Sequence, residues 1–159
     1  MSCPGNVITI KPEWIDHNGH LNVAYFVLAF DFATDAVYEE WSIGFTYQEH
    51  TGCSLFTLGM DVDYHKELFA DEQVEVKTQL LDWDHKRIHY FHTMFHVDTG
   101  ELAATNECLA MNIDLGRKKS AAFPAEVQQL LAKIHGQHAS MQLPKNCGRR
   151  LAIERKTTA

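Results

Sequence analysis

The sequence predicts an α+β domain in which a mainly antiparallel sheet of about five strands wraps around one long buried helix. Three observations lead there. Apolar residues recur with helical period from Val23 to Trp41. Four later segments alternate apolar and polar residues with the period of a strand. Turn signals such as Asp98-Thr99-Gly100 join those strands without a helical crossover, which makes the sheet antiparallel.

Asn6 to Ile10 is a short β-branched run ending before Pro12, a first strand. A polar loop, Asp16 to His20, follows it. Asn22 stands where an N-cap belongs, ahead of a helix with Val23, Phe26, Val27, Phe30, Ala33, Val37 and Trp41 on one face. Asp31, Asp35, Tyr38 and Glu39 form the opposite face. The first two turns are apolar all round, so the N-terminal end of this helix is expected to be largely buried. From Ser54 to Tyr64 the pattern sends Phe56, Leu58, Met60, Val62 and Tyr64 to one side of a strand. Val74, Val76, Thr78 and Leu80 repeat it against Glu75, Lys77 and Gln79. Ile88–Val97 and Leu102–Ile113 complete a meander. Pro124 opens an amphipathic helix reaching His138. The expected domain is 1–138, followed by a basic extension, 139–159, read as solvated.

Hydrophobic residues are 45 % of the 159 and charged residues 22 %, the balance of a globular protein able to bury a core. The longest apolar run, Val23–Phe30, is far short of the roughly 20 residues a membrane span needs. No signal peptide is read at the N-terminus, and Cys3, Cys53, Cys108 and Cys147 are scattered, so a cytoplasmic protein with free thiols is expected. From Ala139 onward five basic residues face one acidic residue, net +4, so against a chain total of −7 the preceding 138 residues carry −11. That acidic body argues against nucleic acid as a partner.

The loop Asp16-His17-Asn18-Gly19-His20-Leu21-Asn22 holds the chemistry. It sets a carboxylate a few residues ahead of a helix whose first N–H groups point outward with partial positive charge. An acyl carbonyl seated on those donors would be polarised, and a carboxylate beside it could serve as general base or nucleophile. The plainer reading is that Asp16 and Asn22 are capping residues and Gly19 an ordinary turn glycine; the loop alone does not choose between the two.

This segment, lying between a first strand and an apolar helix, resembles the signature of the 4-hydroxybenzoyl-CoA thioesterase family of hotdog proteins. Asn112-Ile113-Asp114-Leu115-Gly116-Arg117-Lys118, closing on Phe123-Pro124, is similar to that family's last strand, and the likeness runs in order from about Val7 to Pro124. It departs from the most frequent family loop at His17 and Asn18. The resemblance implies a hotdog fold and acyl-CoA thioesterase activity. Asp16 would be the catalytic carboxylate and the backbone N–H of Val23 the polarising donor, with His20 and Asn22 organising the turn and capping the helix. It further implies a homo-oligomer, dimer or tetramer, built from dimers whose sheets join edge to edge with the active sites at the interface. A narrower likeness, in Pro12–Asp16, Phe30–Asp35, Thr78–Leu81 and Lys86–His89, resembles betainyl-CoA thioesterases, which occur alone or fused to carnitine dehydrogenase. A general short-chain acyl-CoA thioesterase is the other form of that reading. Two other classes stay open: a hotdog hydratase or dehydratase, needing a histidine with a helical carboxylate such as Asp31 or Asp35, and a non-catalytic acyl-CoA-binding module.

No resident cofactor is expected; coenzyme A enters as part of the substrate. Its phosphates need local cations, and Arg117, Lys118 and Lys119 after the last strand are the candidates, with Arg87 beside Lys86 equally readable as part of a solvated turn. Trp14, Tyr25 and Tyr64 are candidate walls for a cationic acyl group, since ring faces attract quaternary ammonium. No metal site is expected. His92 and His96 share a strand face but stand about 13 Å apart, and His135 with His138 lack a third ligand; Asp16 with His17 and His20 is the remaining alternative.

Overall fold

The computed structural model describes residues 5–157. The elements are β1 (Gly5–Thr9), a 3-10 turn (Pro12–Trp14), α1 (Val23–Glu40), α2 (Phe45–Thr51), β2 (Cys53–Tyr64), β3 (Gln73–Trp83), β4 (Arg87–His96), β5 (Leu102–Asp114), β6 (Lys119–Ser120) and α3 (Ala125–His138). Five long antiparallel strands lie in the order β1-β3-β4-β5-β2, and the two-residue β6 pairs with the end of β5. The sheet curls around α1, as the sequence predicts. The early strand is thus one edge and β2 the other.

Helix α1 begins where Asn22 Oδ1 accepts the Ala24 N–H at 2.9 Å. It ends where Ser42 turns left-handed at φ 59°. The short α2, absent from the sequence reading, hangs from this stop: the Glu39 carboxylate accepts the N–H groups of Phe45 and Thr46 and so caps it.

Ile10, Phe26, Phe30, Leu68, Val74 and Met94 pack at one end of α1; Val37, Trp41, Ile88, Tyr90 and Leu131 pack at the other, closed by α3. Between them lies a buried polar layer. Thr34 Oγ1 donates to the Phe30 carbonyl at 2.9 Å, so it receives the Nε2–H of His92 at 2.8 Å. Thr78 Oγ1, at 2.8 Å, then donates to Nδ1. His92 is therefore neutral and fully satisfied, and burial pushes its pKa down to about 3.

Three expectations are corrected. The N-terminal turn of α1 is not largely buried: Val23 is 56 % exposed, because it stands at the mouth of a cavity. Tyr38, placed on the outer face by period, reaches inward to bond the Tyr90 hydroxyl at 3.0 Å. The alternation along β2 breaks at Leu58, where a bulge shifts the register between Thr57 and Gly59. Met60 and Tyr64 therefore face α1, opposite Cys108 and Ala104. Phe56 and Leu58 are instead about half exposed on the free edge, at 49 % and 51 %.

The C-terminal segment is not a solvated extension. It leaves α3 at β3, where His138 Nδ1 accepts the Leu80 N–H, and straps across the sheet face opposite α1. Arg149 pairs with Asp63 at 2.8 Å and with Asp61 at 3.1 Å. The N–H of Gly148 donates to Glu107, which also takes buried His89 at 2.6 Å. Leu151 lies against Gly59, so close that a Cβ there would stand 3.0 Å from it. Returning, the strap buries Ile153, and Arg155 forks onto the Asp82 carboxylate at 2.7 and 2.8 Å. Its positive charge thus answers carboxylates that the sheet presents on its outer face.

Candidate active site

The loop before α1 is closed by its own backbone. Asp16 N–H donates to His20 O at 3.0 Å and Gly19 N–H to Asp16 O at 3.0 Å, with Gly19 at φ 86°. Asp16 Oδ1 accepts the Asn18 N–H at 2.8 Å, which fixes the carboxylate against its turn. Among the described residues Oδ2 has no partner, and neither does the N–H of Val23, the first of the helix.

Asp16 and Val23 both line one cavity of about 350 Å³, shared with Leu21, Asn22, Phe26 and Tyr64. The positive end of the α1 dipole points into it. Tyr64 Oη donates to the Val23 carbonyl at 3.4 Å, and its ring meets Phe26 edge-on at 5.1 Å. His20 lines the wall and approaches Glu67 at 3.7 Å. His65, Lys66 and Glu67 complete the mouth. The sequence reading missed these three because they follow the end of β2 with no spacing that ties them to Asp16. The arrangement offers a fixed carboxylate beside a free helix-terminal donor, which suits polarisation and attack at an acyl carbonyl.

Trp14 and Tyr25 do not join it. They stack on one another at 5.8 Å and 14°, with Phe32 at 6.2 Å and the Lys11 ammonium over Trp14. Trp14 precedes Asp16 by two residues, yet the 3-10 turn sends its ring into the core. Of the three aromatic candidates, Tyr64 alone lines the cavity.

The cation candidates lie at the other end of the strands. Tyr64 pairs with Ala104 and Cys53 with Asp114, so β5 separates Asp16 from Arg117 by roughly 30 Å. Arg117 bonds Asp114 through Nε at 2.8 Å and stays exposed, as do Lys118 and Lys119. The Arg87 guanidinium is committed within the chain, to Asp84 at 2.6 and 2.9 Å and to the Glu154 carbonyl at 3.0 Å. Asp31, Asp35 and Glu39 line a separate cavity of about 570 Å³ between α1, α2 and the start of β2. Burial, then the charges of Asp31 and Glu39, raise the Asp35 pKa. No histidine lines that cavity. Among the described residues no three His, Cys, Asp or Glu side chains group as a metal site, and no helix is long and apolar enough to cross a membrane.

The model of the thioesterase-like superfamily matches residues 10–131. The chain belongs to the thioesterase-like superfamily. A betainyl-CoA thioesterase of Pseudomonas aeruginosa is 33 % identical over 144 residues, 91 % of each chain. An L-carnitine dehydrogenase/betainyl-CoA thioesterase of Rhizobium meliloti is 30 % identical over 146 residues, 92 % of this chain but 29 % of that longer one. A hypothetical protein of Staphylococcus aureus, solved in complex with CoA, superposes with a TM-score of 0.85 at 28 % identity, covering 97 % of this chain and 98 % of its own. The thioesterase-like match spans the Asp16 loop, α1 and all five long strands except β1, so the cavity at Asp16 lies inside the shared fold, which is the hotdog fold. The strap from Ala139 onward lies beyond the matched residues.

Proposed function

We propose that this thioester hydrolase acts on betainyl-CoA, as a homodimer in the cytoplasm. The observation that carries the reading is the cavity that Asp16 and Val23, the first residue of α1, both line. The thioester oxygen sits on Val23 N–H at the positive end of α1, where developing negative charge is stabilised. Asp16 activates water or attacks the carbonyl. Tyr64 bonds the Val23 carbonyl, in the peptide that follows the donor N–H. The identity to the Pseudomonas relative over nine-tenths of both chains supports the acyl group. Free, buried Cys53 and Cys108 suit a reducing compartment.

The free edge of β2 is twelve residues long and carries half-exposed Phe56 and Leu58, an edge that calls for a partner. Antiparallel pairing of β2 with β2 of a second copy sets the start of one strand beside the end of the other. That brings the acidic Asp31, Asp35 and Glu39 cavity and the Arg117–Lys119 cations of one copy towards the Asp16 cavity of the other. The carboxylates then face the cationic acyl group, and the cations the coenzyme A phosphates.

Mixing tests this division of labour. Asp16→Asn and the triple Arg117, Lys118, Lys119→Ala variant are each poor enzymes at low acyl-CoA. Exchanged into mixed dimers, they regain activity of roughly a quarter of wild type, because one site per mixed dimer is intact. Activity that merely averages the two parents would place both elements in one chain. The acyl group is tested by charge. Betainyl-CoA is hydrolysed with kcat/KM at least about tenfold above its neutral isostere 3,3-dimethylbutyryl-CoA, or roughly 1.4 kcal/mol. Equal rates would leave a general short-chain thioesterase.

A further inference from the structure

On the sheet face opposite α1, the strap does not lie flush. Between it and the strands remains a groove of about 460 Å³, floored by Phe91, Thr93 and Phe95 and walled by Leu102 and Leu143. Its polar margin is unlike that of the other cavities. Lys77 and Lys145 line it, and no aspartate or glutamate does, in a chain of net charge −7. Three other cavities hold Asp31, Asp35 and Glu39; Asp16 and Glu67; and Asp84 and Glu154. The Lys77 ammonium sits over the Phe95 ring at 5.6 Å and only 3.6 Å from Glu75, while Lys145 has no ion pair among the described residues.

We infer that this groove binds an amphipathic carboxylate, with its alkyl body on Phe91 and Phe95 and its carboxylate between Lys77 and Lys145. The charge pattern selects the class. A neutral apolar body would cover the Lys145 ammonium without pairing it, which is costly, and a cation would be repelled by both lysines. The Thr93 and Thr105 hydroxyls on the floor add donors to a carboxylate oxygen. Hydrolysis of any alkyl-acyl thioester yields a molecule of this kind. The groove is separate from the Asp16 cavity: the sheet lies between them, and His65 at the end of β2 is the residue that lines both.

Calorimetry on the full chain tests it with octanoate, octanol and octyltrimethylammonium. One octanoate binds per chain, octanol binds about tenfold or more weaker, and the cation does not bind. Lys77→Met with Lys145→Met, both on the surface, weakens octanoate by about tenfold and leaves octanol unchanged. Thr93→Trp fills the floor and removes both, with the thermal midpoint reporting that the fold is kept. Absence of octanoate binding overturns the inference, as does binding indifferent to these substitutions. Displacement of octanoate by coenzyme A would put it in the Asp16 cavity, and a mass that doubles with concentration until Thr93→Trp abolishes it would make the groove an interface between copies; either result also overturns it.

Discussion

Asp16→Asn is expected to lower kcat by about 10² to 10⁴, the usual worth of a positioned base, with the thermal midpoint little changed. The structure explains why the two effects separate. Asp16 holds its turn through Oδ1, which accepts the Asn18 N–H, and an asparagine oxygen accepts that bond equally well. The turn is also closed by backbone bonds of Asp16 that no side chain alters. What asparagine loses is the negative charge that the carboxylate brings to the cavity Asp16 lines. Steady-state rates with thiol detection and a melting curve on the same preparation check this. An asparagine variant within threefold of wild type would remove Asp16 from the mechanism.

Acid should weaken the fold through His92. In the unfolded chain this histidine takes up a proton as pH falls through about 6.5. In the folded chain it does so only near 3, because burial between Thr34 and Thr78 disfavours the cation. Between those values the unfolded state binds more protons, so stability falls as pH falls. The contribution is a loss of about 2 kcal/mol by pH 5 and grows further below it. His138, whose pKa is also lowered by burial and then by His135, pulls in the same direction. Denaturant titrations at pH 7 and pH 5 measure the slope, and His92→Gln should flatten it. A His92 ring resonance that titrates near 6 in the native protein would refute the assignment.

The sequence was legible where one period ran unbroken. The α1 face from Phe26 to Trp41, the alternation in β3 and the Asn22 cap all stand, because each follows from local spacing and local chemistry. The reading failed where a single residue changes the phase. One extra residue at Leu58 turns Phe56 outward while Met60 and Tyr64 still face α1, and nothing in a clean alternation announces a bulge. Trp14 misled for a related reason: nearness in sequence to Asp16 says nothing about direction once a tight turn intervenes. Asp16, Asn22 and Val23 were found together because eight consecutive residues contain them. His65, Lys66 and Glu67 come to the same cavity from another strand end, and only the tertiary fold brings them there. The strap was misread because its positive charge suggested solvent, whereas its partners Asp61, Asp63 and Asp82 lie far off in sequence and meet it only in the fold.

That strap behaves thermodynamically as a ligand on a leash. Its exposed ion pairs are individually worth no more than about 1 kcal/mol, far too little to hold a free peptide. Yet only ten residues lie between His138, anchored on β3, and Arg149. A tether that short gives the segment an effective concentration on the order of millimolar at its own docking face. Weak contacts therefore suffice to keep it docked, and salt that screens Arg149 and Arg155 loosens it without disturbing the strands beneath. Access to the outer face is then expected to depend on salt through the docking of this segment, with the sheet left intact.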